Sequence, residues 1–337
     1  MAGERVVVVG AGGISGAWFP VLKLEKVTVA GVVDLDLQRA RSRMAQFELD
    51  APAGTDLALM LKQTAPDFVI DLTVPEAHCA VTCAALKAGC HVLGEKPMAA
   101  SMADARRMVA AAEKARRVFM VGQSRRWERL HDSVRKTITA GRAGTVTTVN
   151  CDFYLGAHFG GFRDQMASPL ILDMAIHHFD MARFMAGADP VAVYAREFNP
   201  KGSWYQGAVA ASCIFEMTNG VVFTYRGSWC AEGCSTGWNG SWRIVGDKGT
   251  LVYESDQEPC GEVVAGTTGF NRPLKPMRIV ASPSKYPRQH GALREMLAWL
   301  RSGTLPQTEC HDNIKSLAMV FAAIESARTG RRVPVKC

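Results

Sequence analysis

The chain has 337 residues, of which 48% are hydrophobic and 21% charged, the balance of an ordinary globular protein long enough for two domains. Its formal charge of +7 is scattered among acids rather than gathered in a stripe, so nucleic-acid binding has little support, while an anionic cofactor or mildly acidic substrate suits the sign. No stretch nears the roughly 20 apolar residues of a membrane span and no signal peptide opens the chain, so the expected location is the cytoplasm. There the ten cysteines, none in a CxxC pair, are expected to be buried free thiols.

Val6-Val7-Val8-Val9 runs into Gly10-Ala11-Gly12-Gly13-Ile14-Ser15-Gly16, and a helical pattern follows from Ile14 to Leu24. This is the strand, tight turn and helix of a dinucleotide-binding unit. Gly10 can turn where a Cβ would strain, Gly12 lets the backbone approach a pyrophosphate, and the N–H groups at the helix start attract the anion. Ser15 occupies the usual third glycine position. A second strand ends in Asp34, roughly 20 residues on, where an acid contacts the ribose. Leu37 to Phe47 reads as helix, Ala51 to Gly54 as at most a short third strand, and Thr55 as the cap of a helix through Lys62.

Phe68 to Thr73 is a fourth strand, Glu76 to Ala88 a helix stopped by Gly89, and Cys90 to Gly94 a fifth strand. Ser101 opens a helix to about Arg116, and Val118 to Val121 is a sixth strand. Such alternation predicts an α/β protein with an N-terminal Rossmann doubly wound parallel sheet over residues 1–123. From 124 to 337 the pattern changes to an α+β domain with a large, mainly antiparallel open sheet. Its strands are expected at 146–155, 191–197, 208–217, 221–230, 241–245 and 250–254, with Asn219-Gly220 as a two-residue hairpin turn. Helices are expected at 130–140, 172–185, 290–301 and 313–328.

Ligands of such sheets bind beyond the carboxyl ends of the strands. That rule nominates Thr73, Pro75 and His78, then Glu95 and Lys96, then Gln123 and Arg126, to join Gly10, Gly12, Gly13, Ile14 and Asp34 around the cofactor. Asp34 is followed by Leu35 with no cation beside it, which favours NAD over NADP, although Arg39 and Arg41 lie downstream. Pro97 holds Lys96 extended at the cleft; a solvated surface lysine is the alternative. On a helix Asp173, His177 and Asp180 share a face, where a carboxylate-flanked imidazole suits general-base work. A solvated polar stripe and a metal site compete with that reading, but no further cluster with ligand spacing is evident, and no metal is expected.

Together the glycine turn, Asp34, Pro75-x-x-His78, the run from Ala88 to Glu95-Lys96-Pro97, Asp173-x-x-x-His177-x-x-Asp180 and the C-terminal segment through Val333 resemble the glucose-fructose oxidoreductase and inositol dehydrogenase (Gfo/Idh/MocA) family over nearly the whole chain. The resemblance implies that Lys96 polarises the reacting hydroxyl, that Asp173 and His177 supply the proton acceptor and its support, and that the Lys96–Pro97 bond can be cis. It also implies homodimers or homotetramers joined through the open sheet of the second domain. Trp18 stands where the family often has histidine, and Ala167-Ser168-Pro169 replaces a glycine-rich loop. The implied activity is an NAD-dependent oxidoreductase acting on a secondary hydroxyl of a sugar, cyclitol or sugar derivative. Tyr154, His158, Arg163 and Trp229 or Trp238 are candidates to meet that substrate. Two rivals are a redox-neutral sugar-processing enzyme with tightly held NAD and a non-catalytic nucleotide-sensing regulator.

Overall fold

The computed structural model describes residues 3–337, which form two compact units. One comprises the residues up to 124 with 286–317; the other comprises 125–285 with 318–337. The sequence reading places a boundary at 123; the compact units change over after 124, and the first also takes in 286–317.

In the first unit the parallel sheet has the order β3-β2-β1-β4-β5-β6, with β1 at Arg5–Val9, β2 at Thr28–Val33, β3 at Ala53–Gly54, β4 at Phe68–Asp71, β5 at His91–Gly94 and β6 at Phe119–Val121. Val6 to Val9 are all buried, as a strand covered on both faces requires. The helices are α1 (Ser15–Leu24), α2 (Leu37–Gln46), α3 (Leu57–Thr64), α4 (Pro75–Lys87) and α5 (Met102–Ala115). Asp56, not Thr55, caps α3, its Oδ1 accepting from Leu59 N at 3.0 Å; Ser101 caps α5 as expected.

Residues 286–317 join this unit for two physical reasons. A later helix, Arg288–Ser302, packs against α1, where Glu25 accepts from His290 and Arg294, while Arg301 reaches Glu4 on the strand side. The carbonyl of Thr308 accepts from Val121 N at 3.0 Å, so this segment satisfies the otherwise open edge of β6.

The second unit is built on a nine-stranded sheet. Its strands are β7 (Val146–Tyr154), β8 (Pro190–Phe198), β9 (Ala210–Met217), β10 (Val222–Ser228), β11 (Ser241–Gly246), β12 (Gly249–Tyr253), β13 (Cys260–Val264), β14 (Leu274–Pro276) and β15 (Val333–Pro334). They are ordered β14-β13-β12-β11-β7-β10-β9-β8-β15, all antiparallel except β7 with β10. The hairpin between β9 and β10 uses three residues rather than two. Met217 N donates to Val221 O at 2.8 Å, and Asn219 (φ 61°) and Gly220 (φ 73°) take the left-handed conformation that makes Asn-Gly suitable there. Burial alternates along β9, one face buried, where Phe215 meets Phe179 of α8 (Ile176–Ala186) with ring centres 4.8 Å apart, and the other open; further helices are α6 (Arg129–Thr139) and α10 (Cys310–Thr329). A four-residue helix, α7 (Phe162–Gln165), lies between β7 and α8, and α9 is the Arg288–Ser302 helix already described.

The thiols correct one expectation. The cysteines are thiols as expected, but Cys79, Cys90, Cys151, Cys213 and Cys310 alone of them are buried, whereas Cys234, Cys260 and Cys337 are exposed in a loop, on a short strand near the sheet edge and at the C-terminus.

His131 gives the second unit an acid-sensitive point. Its Nδ1–H donates to Arg125 O at 2.9 Å, its ring stands edge-on to Tyr253, and Nε2 is buried without a partner. Burial pushes its pKa down to about 4. A depressed histidine contributes stability that is complete above pH 6.5 and lost as pH falls through 4, here about 3 kcal/mol. Urea unfolding of wild type and His131→Phe at pH 7 and pH 4 should show the variant losing less stability on acidification by roughly that amount; equal losses would remove His131 from the acid response.

Candidate active site

Within the first unit, the glycine turn separates into a structural part and an open part. Gly10 sits at φ 97°, and a Cβ there would stand 2.7 Å from Leu72 O. Among the described residues no heavy atom lies within 4 Å of where a Cβ of Gly12 or Gly13 would be, and the first turn of α1 has no side-chain cap, while Arg43 Nη2 donates to Gly12 O at 3.1 Å. Ser15 fills the third glycine position without crowding, buried with its Oγ donating to Gly12 O at 2.6 Å. Asp34 is locked beside this turn: Oδ2 accepts from Ala11 N at 2.7 Å and Oδ1 from Asp36 N at 2.9 Å. Arg39 Nη1 lies 3.5 Å from Asp34 Oδ1, so a cation does approach the acid from one helical turn away. An open glycine turn with a fixed carboxylate at the end of β2 fits the pyrophosphate and ribose of a dinucleotide.

The loops after β4 and β5 are joined by His78, and its side chain and that of Glu95 brace rather than protrude. His78 is buried, with Nδ1 2.9 Å from Pro97 O and Nε2 3.0 Å from Thr73 O, tying the two loops together. Both contacts are hydrogen bonds only when the ring carries both protons. Thr73 turns its hydroxyl to Asp71 Oδ1 at 2.6 Å, and Pro75 opens α4. Glu95 Oε1 accepts from Trp18 Nε1 at 3.0 Å and Oε2 from Lys96 N at 3.2 Å. Burial pushes the Glu95 carboxyl up, opposed by Trp18 and Lys96. The tryptophan that departs from the resembled family is therefore a brace beneath the lysine loop, and Lys96–Pro97 is cis. Gln123 is buried just past β6, its N–H turned back to Val121 O.

Within the second unit, α8 is preceded by a π-helical turn, Leu170–Ala175, which contains Asp173. The i to i+5 bonding of such a turn alters the simple α-helical face deduced from spacing, and π turns are frequent at functional sites. Asp180 does not share a ligand-facing side with His177. It is wholly buried and takes Arg126 in a two-pronged ion pair, Nε to Oδ2 at 2.8 Å and Nη2 to Oδ1 at 2.6 Å. Arg126, expected near the cofactor, thus has its guanidinium engaged by α8. His177 is half-buried, whereas the neighbouring His178 is fully buried with Nε2 receiving Arg125 Nη1 at 3.2 Å. Burial and Arg125 hold the His178 ring neutral, well below the usual histidine range, and its lone pair is occupied. Of the two histidines, His177 is the one left as a candidate proton acceptor, since the His178 lone pair is taken by Arg125.

Asp173 Oδ2 accepts from Arg163 Nε at 2.6 Å, bringing two expected substrate residues together. Tyr154 is not with them. Strand alternation puts Phe153 against His178, with ring centres 4.8 Å apart, and sends Tyr154 to the opposite, open face, where Asp152 and Arg226 influence its hydroxyl. His158 stacks on Trp204 at 3.7 Å and pairs with Glu232, and Trp229 is buried while Trp238 is half-exposed. One group with metal-ligand chemistry escaped the spacing search: Glu309, Cys310 and His311, within 4.8 Å of one another. Hydrogen bonds account for it, since His311 is held between Glu309 and Glu113 and the Cys310 thiol lies on Glu309.

Comparison with known proteins now bears on both units. Residues 4–123 match the model of an oxidoreductase family with an NAD-binding Rossmann fold, and residues 131–252 match the GFO/IDH/MocA C-terminal domain. The chain belongs to the Gfo/Idh/MocA family. It is 27% identical to a D-apiose dehydrogenase of Paraburkholderia graminis, covering 93% of this chain and 84% of that one. It is 26% identical to a 1,5-anhydro-D-fructose reductase of Ensifer adhaerens over 99% of both chains. Among solved structures, an oxidoreductase from Agrobacterium radiobacter in complex with NAD+, L-tartaric acid and magnesium superposes with a TM-score of 0.85 at 25% identity, over 98% of each chain. As a Gfo/Idh/MocA protein the chain is an NAD(P)-dependent oxidoreductase, with the Rossmann sheet and mainly antiparallel second sheet of that family.

Proposed function

We propose that the enzyme moves hydride between NAD and a secondary hydroxyl of a sugar, cyclitol or sugar derivative, with Lys96, Asp173 and His177 as its chemical groups. The observation that carries the reading is the open Gly12–Gly13 turn with Asp34 locked beside it, in a chain whose relatives include sugar dehydrogenases and reductases. Bound nicotinamide supplies the hydride acceptor; His177 takes the hydroxyl proton and Lys96 stabilises the developing alkoxide. Asp173 favours the protonated imidazole as the reaction proceeds. The test is a panel of polyols, aldoses and sugar acids followed by nicotinamide absorbance. A regulator that lacks turnover would give no reduction with any member.

The Gly12 position separates cofactor binding from folding. Gly12→Val has room within the protein and should melt within a few degrees of wild type while binding NAD at least tenfold more weakly, by calorimetry. Gly10→Val must move the Leu72 carbonyl and should be destabilised instead. Unchanged NAD affinity in Gly12→Val would take the cofactor out of this turn.

NAD is the preferred nucleotide in this reading, because a 2′-phosphate would meet the Asp34 carboxylate, typically at a cost of several kcal/mol. Arg39, 3.5 Å from the carboxylate, is a cation placed to offset it. Asp34→Ser should therefore shift the NAD/NADP affinity ratio by tenfold or more toward NADP. Equal or tighter NADP binding by the wild type would overturn the preference.

The setting we propose is cytoplasmic, consistent with the absence of any described helix long and apolar enough to cross a membrane. The open face of the nine-stranded sheet would join copies into a dimer or tetramer. It carries the cross-strand row Tyr194, Ile214, Thr224 and Asn150, of which Tyr194 and Ile214 are each half exposed.

A further inference from the structure

Beside the Asp173 carboxylate stands a cationic group shaped for an anion. Arg163 is tethered by Nε to Asp173 Oδ2, and its guanidinium carbon lies 5.0 Å from the ring centre of Phe159 and 4.7 Å from that of Phe162. The tether and the two aromatic faces fix the plane of the fork. Among the described residues no acceptor takes its two terminal nitrogens, and a third of the side chain is exposed. Two parallel N–H donors in a fixed plane match the two oxygens of a carboxylate.

The same place offers a platform for a ring. Phe159 is 42% exposed, Phe162 65% and Trp238 45%, and the Phe159 and Trp238 rings are 6.0 Å apart. Phe153 links this platform to α8, with its ring 6.5 Å from Trp238 and 4.8 Å from His178. An apolar aromatic face beside a guanidinium fork complements a sugar ring that presents C–H bonds on one side and an acid at its edge.

We infer that the substrate is an acidic sugar, a pyranose carboxylate whose acid docks on the terminal nitrogens of Arg163 while its ring lies on Phe159 and Trp238. The inference rests on the proposed function and names its substrate class. The carboxylate is a spectator: the carbinol C–H leaves with its electron pair for the cofactor, the hydroxyl proton passes to His177, and a ketone forms.

The test uses matched methyl pyranosides that differ only in a C6 carboxylate against a C6 hydroxymethyl. Binding is read by calorimetry on NADH-loaded enzyme, where no hydride can leave the sugar, and turnover by reduction of NAD. In at least one pair the acid should bind roughly ten- to hundredfold more tightly, the worth of a charged two-pronged hydrogen bond. Arg163→Met should erase that ratio and Arg163→Lys should keep only part of it. Equal or weaker binding of every acid member, or a preference that survives Arg163→Met, overturns the inference; NAD reduction by the neutral members would then leave the proposed function standing. Tight, Arg163-dependent binding of acids with no reduction of NAD by any sugar would instead uphold the anion site and overturn the hydride-transfer reading.

Discussion

His177→Ala and Lys96→Ala are each expected to lower kcat by about 10² to 10⁴, the usual contribution of a general base or of a group stabilising a developing alkoxide, or roughly 3 to 5 kcal/mol of barrier. NAD affinity should stay within a few fold, because in the proposed reading the nucleotide is held by the glycine turn and Asp34 rather than by either side chain. The expectation is sharper for His177 than a sequence could make it. The adjacent His178 is neutral, buried and already accepting from Arg125, so it cannot substitute as base. Asp173→Asn should slow turnover less than loss of the imidazole, since it removes the charge that in the proposed reading favours the imidazolium, and it leaves Arg163 without its carboxylate partner. If Lys96 and His177 act on one alkoxide, the double variant should be much less impaired than the product of the singles. A solvated lysine would be silent, and full turnover by His177→Ala would falsify the assignment of the base.

The second large effect falls on stability. Arg126 and Asp180 are a buried pair with side chains 5% and 0% exposed, and Arg183 Nη1 lies 3.8 Å from the same carboxylate. Truncating Arg126 to alanine strands a charge in the interior, which typically costs about 3 to 5 kcal/mol. Replacing both partners by apolar residues, Arg126→Met with Asp180→Leu, should recover much of that loss, because the desolvation penalty of the ions disappears with them. Urea unfolding distinguishes this from a ligand role: an arginine that served the cofactor would raise the Kd for NAD in Arg126→Ala and leave the unfolding midpoint near wild type.

Most of the Rossmann unit was legible because its signals are local. The apolar run of β1, the glycine turn, Asp34 and the serine cap of α5 each depend on neighbours within a few residues, and they stand where their chemistry requires. Short or polar strands were not legible: β13, β14 and β15 lack an apolar run and exist through pairing with distant strands. The segment 286–317 was assigned to the wrong unit because its membership depends on Glu25, Glu4 and Val121, far away in sequence. In the site, spacing alone does not recover which face a side chain takes. Asp180 has the right spacing from His177, yet its burial is decided by Arg126; Tyr154 is a plausible sugar contact, yet a two-residue period sends it to the other side of the sheet. The braces Trp18–Glu95 and His78–Pro97 join parts of the chain that no motif connects.

The most direct measurement follows one hydrogen. A substrate from the sugar panel, deuterated at the reacting carbinol carbon, is incubated with the enzyme and NAD, and both products are examined by mass spectrometry and NMR. Hydride transfer with net oxidation requires the deuterium to appear at C4 of released NADH, one per ketone formed. Deuterium that returns to a sugar product, with no NADH released, would contradict net oxidation and identify the redox-neutral alternative.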